Sequence, residues 1–287
     1  MFGEDLRKNI DFDPSWVDIV AQVTQHPDRP RPNRVNDQIF MLPGSELIQA
    51  LLVIDYLKYR DVVFVGDGDC MGLVIAHLTN RGVLKKGPSK MRILDFDERL
   101  LEFYKIAIAD LHLPADLISL ERYNVRDPIP ERLKGAHDVF YTNPPYGSKD
   151  DGNCGKVFLS RCIELCKPAP SWGIAILPFA HKEDWSRSAM HNIQSFLCEN
   201  GYVVSEMIRE IHQYHLDDRP SLRSANVVVD RVKNVDPPFY NRRLKDSELF
   251  HFYGSSNDPM PEYVSKDGYL IFEDGNKIKI ETSRKKV

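Results

Sequence analysis

Between residues 33 and 235 the apolar positions come in two alternating kinds of run. One kind is short and continuous. "DVVFVGDGD", "MRILDFD", "DLISLERYNV", "DVFYTNPPY" and "WGIAILPFA" each hold adjacent Val, Ile, Leu, Phe or Tyr and then break at Gly, Asp, Asn or Pro. Unbroken apolar runs of this length read as strands covered on both faces. The other kind is spaced at three and four. "PGSELIQALLVIDYLKYR" places Leu47, Leu51, Ile54 and Leu57 on or near one helical face, with Ser45 as the expected N-cap. "CMGLVIAHLTNRG", "ERLLEFYKIAIADLHL", "KVFLSRCIELCK" and "MHNIQSFLCENG" carry the same helical period, the first and last ending at Gly82 and Gly201. "YVVSEMIREIHQYHL" and "SANVVVDRV" read as two final strands, antiparallel to each other. Strand and helix in alternation predict a doubly wound α/β domain with a mostly parallel sheet. Its ligand belongs at the carboxyl ends of the strands.

The flanks differ from this pattern. In residues 1–32, "FDPSWVDIVAQVTQ" predicts a short helix with Asp13 as N-cap and Pro14 in the first turn. Pro27, Pro30 and Pro32 then predict an extended linker. Residues 236–287 are loop-rich until "GYLIFEDGNKIKIETS", which reads as a hairpin turning at Asp274 and Gly275. The expected organisation is a lead-in over 1–32, a doubly wound α/β domain over 33–235 and a small extension over 236–287.

Composition narrows the class. The 287 residues are 42% hydrophobic and 28% charged, ordinary for a globular chain. No apolar run approaches the ~20 residues of a membrane helix. "MFGEDLRKNIDFDPSW" lacks the apolar core of a secretory signal. The five cysteines are an odd count, which fits reduced thiols in a cytoplasm. A net charge of −4 argues against broad, non-specific binding of nucleic acid and suits a cationic ligand.

Five stretches carry candidate chemistry. In "VVFVGDGDCMG", Gly66 and Gly68 follow a strand and precede a helix, the setting of a nucleotide-binding turn. Asp67 and Asp69 would repel a pyrophosphate, so a cationic or zwitterionic ligand such as an adenosyl-sulfonium fits better. In "ILDFDERLL", Asp95 is placed to accept both ribose hydroxyls, with Asp97 as competitor or as cap of the helix beginning at Glu98. In "RYNVRDP", Asn124 or Asp127 faces an adenine amino group or belongs to a solvated turn. In "DVFYTNPPY", Asn143 and the Pro144 carbonyl offer acceptors, and Tyr146 a flat face, for holding an amino group that attacks an electrophile. Asp217 and Asp218 are a paired base or a polycation contact, or a solvated turn. Cys154, Cys162 and Cys166 lack metal-ligand spacing and read as buried apolar residues. His212 and His215 read as surface or supporting residues.

Together "GDGD", "LDFDERL", "YNVRDPIP" and "DVFYTNPPY" resemble the class I S-adenosylmethionine-fold transferases. More narrowly they are similar to the catalytic domain of the branched-chain polyamine synthases, the N4-bis(aminopropyl)spermidine synthases. The resemblance runs over about residues 33–235. The family's acidic Gly-Asp-Asp-Asp loop corresponds to Gly66, Asp67, Gly68 and Asp69, and both the D-x-D-E-R from Asp95 and the pair Asp37 and Gln38 match as they stand. The resemblance implies a Rossmann-like seven-stranded sheet of the class I methyltransferase fold. It implies decarboxylated S-adenosylmethionine or S-adenosylmethionine at Gly66, Asp67, Gly68, Asp69, Asp95, Asp97 and Asn124. It implies a polyamine acceptor at Asn143, Pro144 and Tyr146, with Asp217 and Asp218, and aminopropyl transfer as the reaction.

Two features depart from the family. Its N-terminal winged-helix domain would not fit in 32 residues, and its Asp-Pro-Pro is Asn143-Pro144-Pro145 here. Asn-Pro-Pro-Tyr is similar to the motif of DNA and RNA amino-methyltransferases that act on adenine N6. The change has chemical weight. A polyamine nitrogen has a pKa of ~10 and must lose a proton before it attacks, which Asp can accept and Asn cannot. An adenine amino group is already neutral. A polyamine acceptor therefore calls for a replacement base at Asp217, Asp218 or Asp150. Three readings stand at this point: aminopropyl transfer to a polyamine, methyl transfer to a nucleobase, and a catalytically silent nucleotide-binding module.

Overall fold

The computed structural model describes residues 10–181, 183–215, 221–253 and 260–280. Seven strands form one sheet: β1 (Asp61–Val65), β2 (Lys90–Asp95), β3 (Ile118–Arg122), β4 (Val139–Thr142), β5 (Ser171–Pro178), β6 (Tyr202–His212) and β7 (Ser224–Arg231). Their order is β3-β2-β1-β4-β5-β7-β6. Pairs β1–β2, β1–β4, β2–β3 and β4–β5 are parallel, while β7 runs antiparallel to both β5 and β6. The expected doubly wound sheet and the expected antiparallel final pair are both present.

The described residues hold six α-helices: α1 (Ser15–Thr24), which packs on α2 (Pro43–Leu57) and α3 (Met71–Asn80), and further α4 (Glu98–Asp110), α5 (Asn153–Leu165) and α6 (Asp184–Glu199). Strand alternation explains the continuous apolar runs. Val62 and Phe64 of β1 enter one core with Val20, Leu47, Leu73 and Tyr104 from α1 to α4. Val63 and Val65 enter a second core with Val157, Leu159 and Ile193 from α5 and α6. Each strand residue therefore meets protein on its own side, and the pattern loses its polar half.

Some boundaries differ from expectation. Helix α2 begins at Pro43 with Leu42 extended before it, because proline at the first helical position needs no N–H partner. Ser45 therefore lies inside the first turn, and its hydroxyl instead accepts from the Gln213 N–H at 2.9 Å. Helix α6 starts at Asp184, one and a half turns before Met190. Among the described residues no helix is long and apolar enough to cross a membrane.

The flanking segments join the two cores. Val20 and Val23 are fully buried in the first core, and Leu244, Leu249, Phe252 and Met260 close the second. Fully buried Arg161 anchors this C-terminal stretch. Its guanidinium donates to the carbonyls of Val125, Phe239 and Arg242 at 2.8–2.9 Å and pairs with Glu164 at 2.6 Å. The expected hairpin is β9 (Tyr269–Ile271) and β10 (Lys277–Lys279), joined through Gly275 at φ +83°; β8 (Tyr263–Val264) adds a third strand. The Val264 N–H donates to the Phe96 carbonyl at 3.1 Å, fixing this small sheet beside the end of β2.

Candidate active site

Strand β1 lies between β2 and β4, and the chain leaves it on opposite sides, which opens a crevice at the carboxyl ends. There a cleft encloses about 790 Å³ of empty space counted out to its mouth. Its walls are residues 36–40, the loop after β1, the ends of β2 and β3, and the Asn-Pro-Pro-Tyr segment after β4, with Phe158, Tyr214 and Tyr253.

The loop after β1 divides its two carboxylates. Gly66 sits at φ +67°, and a Cβ there would lie 2.9 Å from the Phe158 ring, so only glycine serves. Gly68 is not in that region, and a Cβ would meet Phe40 at an ordinary 3.9 Å. Asp67 turns away from the cleft. Its oxygens accept from the N–H groups of Met71 and Gly72, each at 2.9 Å, and from the Tyr104 hydroxyl. It caps α3, and burial pushes its carboxyl up to about 6 against the pull of those donors. The expectation that both carboxylates face a ligand is corrected here, because a side chain satisfying the start of α3 cannot also reach the cleft. Asp69 does line the cleft. It accepts from the Met41 N–H at 2.8 Å and from the Asn143 amide at 2.5 Å. Burial raises its proton affinity, opposed by the Met41 N–H, the Arg29 charge and the Asn143 amide.

At the end of β2 the two candidates also separate. Asp95 lines the cleft and accepts from the Asp67 N–H at 3.1 Å and the Asp97 N–H at 2.9 Å. Burial, then the neighbouring charge of Asp97, pushes it up to about 7. Asp97 lies outside the lining and caps α4, accepting from the Arg99 N–H at 3.0 Å and pairing with the Arg99 guanidinium at 2.6 Å. Phe96 stacks on Tyr253 with ring centroids 5.9 Å apart.

Asn124 borders the cleft, but its amide is engaged elsewhere. It donates to the carbonyls of Pro261 and Glu262, both at 2.9 Å, and accepts from the Arg126 N–H at 3.0 Å. Both amide hydrogens go to the C-terminal segment, so Asn124 anchors that segment while it borders the cleft. Asp127 pairs with Arg243 at 2.8 Å, away from the cleft. Asp150 accepts from the N–H groups of Asn153 and Cys154 and caps α5. Asp217 and Asp218 lie outside the described residues.

Asn143, Pro144 and Tyr146 all line the cleft. With its amide nitrogen on Asp69, Asn143 keeps a buried Oδ1 that has no hydrogen-bond partner. The Pro145 carbonyl accepts from the Cys154 thiol at 2.9 Å. Cys154, Cys162 and Cys166 are buried and unpaired, as expected of small apolar residues.

Three contributors escaped the sequence reading. Arg29, in the proline-rich lead-in, donates to the Gly68 carbonyl at 3.0 Å and lies 4.0 Å over the Phe40 ring. It stands 4.0 Å from fully buried Glu46, whose carboxyl burial raises well above the usual range. Tyr214 and Tyr253 reach the cleft from after β6 and from the C-terminal segment. The available signal for Arg29 was electrostatic. Buried carboxylates at Asp67 and Asp69 require a nearby cation, and the lead-in supplies one.

A seven-stranded sheet in this order with β7 reversed, an acidic residue at the tip of β2 and an Asn-Pro-Pro-Tyr loop at the tip of β4 define the class I S-adenosylmethionine methyltransferase fold. The model of the family described as branched-chain polyamine synthase A C-terminal domain matches residues 18–269, and the chain belongs to that family. It is 32% identical to an uncharacterised protein of Methanocaldococcus jannaschii over 190 residues, 65% of this chain and 43% of that one. It is 28% identical to the N(4)-bis(aminopropyl)spermidine synthase of Thermus thermophilus over 190 residues, 65% of this chain and 50% of that one. The chain thus spans about half the length of the curated relatives it matches. The solved branched-chain polyamine synthase of T. thermophilus, in complex with N4-aminopropylspermidine and 5'-methylthioadenosine, superposes with a TM-score of 0.67 at 22% identity, covering 80% of this chain and 67% of that one. A putative RNA methyltransferase of Pyrococcus horikoshii superposes with a TM-score of 0.56 at 14% identity, covering 77% of this chain and all of that one. Both solved structures share the fold.

Proposed function

We propose that this chain transfers the aminopropyl group of decarboxylated S-adenosylmethionine to an amine nitrogen of a polyamine such as spermidine. Family membership and the names of the curated relatives support the reaction. The observation that carries the reading is the 2.5 Å contact between Asn143 and buried Asp69. It returns a carboxylate to the loop where the family's Asp is replaced, and so answers the need for a base.

The cleft fits an adenosyl group on its own chemistry. Gly66 and Gly68 bring bare backbone to the wall, Asp95 offers a carboxylate for ribose hydroxyls, and Phe96, Phe158 and Tyr253 supply flat apolar surface. When bound, the sulfonium supplies an electrophilic carbon and a thioether leaving group. The residues of this chain would do the rest. Asp69 takes a proton from the ammonium, and its raised proton affinity suits that task. The unpartnered Asn143 Oδ1 accepts a second N–H and aims the freed lone pair. The N–C bond forms as the C–S bond breaks, and the proton remains on Asp69. Asp69 in the wall supports the decarboxylated form as the donor. A donor carboxylate near it would add a like charge in a poorly solvated site.

The Asn-Pro-Pro-Tyr loop favours a second reading, methyl transfer to an adenine amino group, which needs acceptors and no base. Calorimetry separates the two. A preference for decarboxylated over carboxylated S-adenosylmethionine of about tenfold, ~1.4 kcal/mol, is the outcome expected here. The reverse preference would select methyl transfer. Binding of neither would leave a silent module.

A further inference from the structure

Tyr146 and Tyr214 line the cleft with their hydroxyls joined, and behind them a chain of hydrogen-bonded polar side chains runs into the core. Tyr214 Oη lies 2.5 Å from Ser224 Oγ, and Ser224 Oγ lies 2.7 Å from His212 Nδ1. His212 Nε2 lies 2.8 Å from Gln49 Oε1, and Gln49 Nε2 donates to Asn226 Oδ1 at 2.9 Å. Ser224, His212 and Gln49 are fully buried. The transfer chemistry above assigns them no task.

The chain has a direction. A hydroxyl has one hydrogen to donate, and a neutral imidazole donates from one nitrogen and accepts at the other. The Gln49 oxygen only accepts, and its amide nitrogen is engaged by Asn226. His212 Nε2 therefore carries the hydrogen and Nδ1 is bare. Ser224 must donate to Nδ1, Tyr214 to Ser224, and Tyr146 to Tyr214. Every hydrogen points inward, so Tyr146 has only lone pairs left for the cleft.

We propose that this chain is a direction lock that sets acceptor specificity: Gln49, His212 and Ser224 are positioning residues that make Tyr146 present a hydrogen-bond acceptor, and no donor, to the acceptor substrate. The consequence for specificity rests on the polyamine reading. An ammonium or N–H group satisfies the Tyr146 oxygen. An ether oxygen in the same place meets a second oxygen with no hydrogen between them. With the opposite tautomer of His212 every hydroxyl would reverse, and Tyr146 would offer a hydrogen to the cleft.

The test has two parts. Long-range ¹H–¹⁵N correlation on histidine-labelled protein, with His212→Gln to assign the signal, reads the tautomer directly. The neutral Nε2–H form is expected; the Nδ1–H form or an imidazolium overturns the lock. With 5'-methylthioadenosine present, calorimetry then compares spermidine with its analogue in which the central N–H is an oxygen. Ser224→Ala cuts the chain outside the cleft and frees the tyrosine hydrogens to turn outward. The preference for spermidine is expected to fall about tenfold in that variant, ~1.4 kcal/mol. An unchanged preference overturns the specificity role, and a merely structural effect would weaken both ligands alike. Wild-type protein that shows the Nε2–H tautomer but does not bind spermidine would count against the polyamine reading and leave the direction of the chain standing.

Discussion

The two walls of the cleft bury polar groups by opposite means. On the β1–β2 side, Asp67, Asp69 and Asp95 are carboxylates kept from water by helix starts, backbone N–H groups and the nearby Arg29. On the β6–β7 side, Tyr214, Ser224, His212 and Gln49 form a run of hydrogen bonds with no carboxylate in it. A buried charge has a proton affinity that its surroundings set, whereas a neutral chain has a direction. The first wall is therefore suited to taking a proton and the second to recognising one. Within the acidic wall the contrast repeats at close range. Asp67 and Asp69 share one turn, yet one holds the start of α3 and the other faces the cleft.

Exchanging the members of these pairs should pull the walls apart. The largest effect is expected from Asp69→Asn, which removes the base while keeping the shape. Turnover should fall about 1000-fold, with 5'-methylthioadenosine affinity by calorimetry little changed. Retained turnover would move the base elsewhere. Asp67→Asn should do the reverse. Loss of the helix cap and of the Tyr104 contact should destabilise the fold by about 2 kcal/mol in urea unfolding, while turnover per folded molecule stays near that of the parent.

Asp95 gives the comparison a pH axis. Its carboxyl is at about 7 in the fold against an ordinary 3.8. Between those values the unfolded chain has released the proton and the folded chain still holds it. Stability from this group is thus fully present below the lower value and falls as pH rises towards 7, by at most ~1.4 kcal/mol per pH unit. Asp67, raised to about 6, acts in the same direction. Melting temperature should fall from pH 5 to pH 7, and Asp95→Asn should flatten that fall. Because ribose hydroxyls donate to the ionised form, nucleoside affinity should rise over the same interval in the parent and not in the variant. The smallest effect is expected from Asn124→Ala. Freeing residues 261–262 should cost about 1 kcal/mol and raise hydrogen exchange in the C-terminal sheet.

The sheet was legible because β1, β2, β4 and β5 are short, largely apolar on both faces and closed by Gly, Asn, Asp or Pro, and because helical spacing separates β1 from β2, β2 from β3, β4 from β5 and β5 from β6. The location of the cleft followed from the same pattern, since Asp95 ends β2 and Gly66 and Asn143 directly follow β1 and β4. Which way a side chain turns within a loop was not legible. Asp67 is claimed by Tyr104, and Asn124 by the carbonyls of Pro261 and Glu262, partners far off in the chain that no local pattern marks. Tyr214 and His212 read as part of a final strand, with His212 a surface or supporting residue. Their place became visible only when β6 and β7 paired and brought Ser224 between them.

The central claim is that an amine nitrogen attacks an aminopropyl carbon in this cleft. It is tested most directly by giving the purified protein equal concentrations of S-adenosylmethionine and its decarboxylated form with spermidine, and following both products by mass spectrometry. The account predicts aminopropylated spermidine and 5'-methylthioadenosine, with no methylated polyamine. Methylated product, or consumption of the carboxylated donor alone, would contradict it.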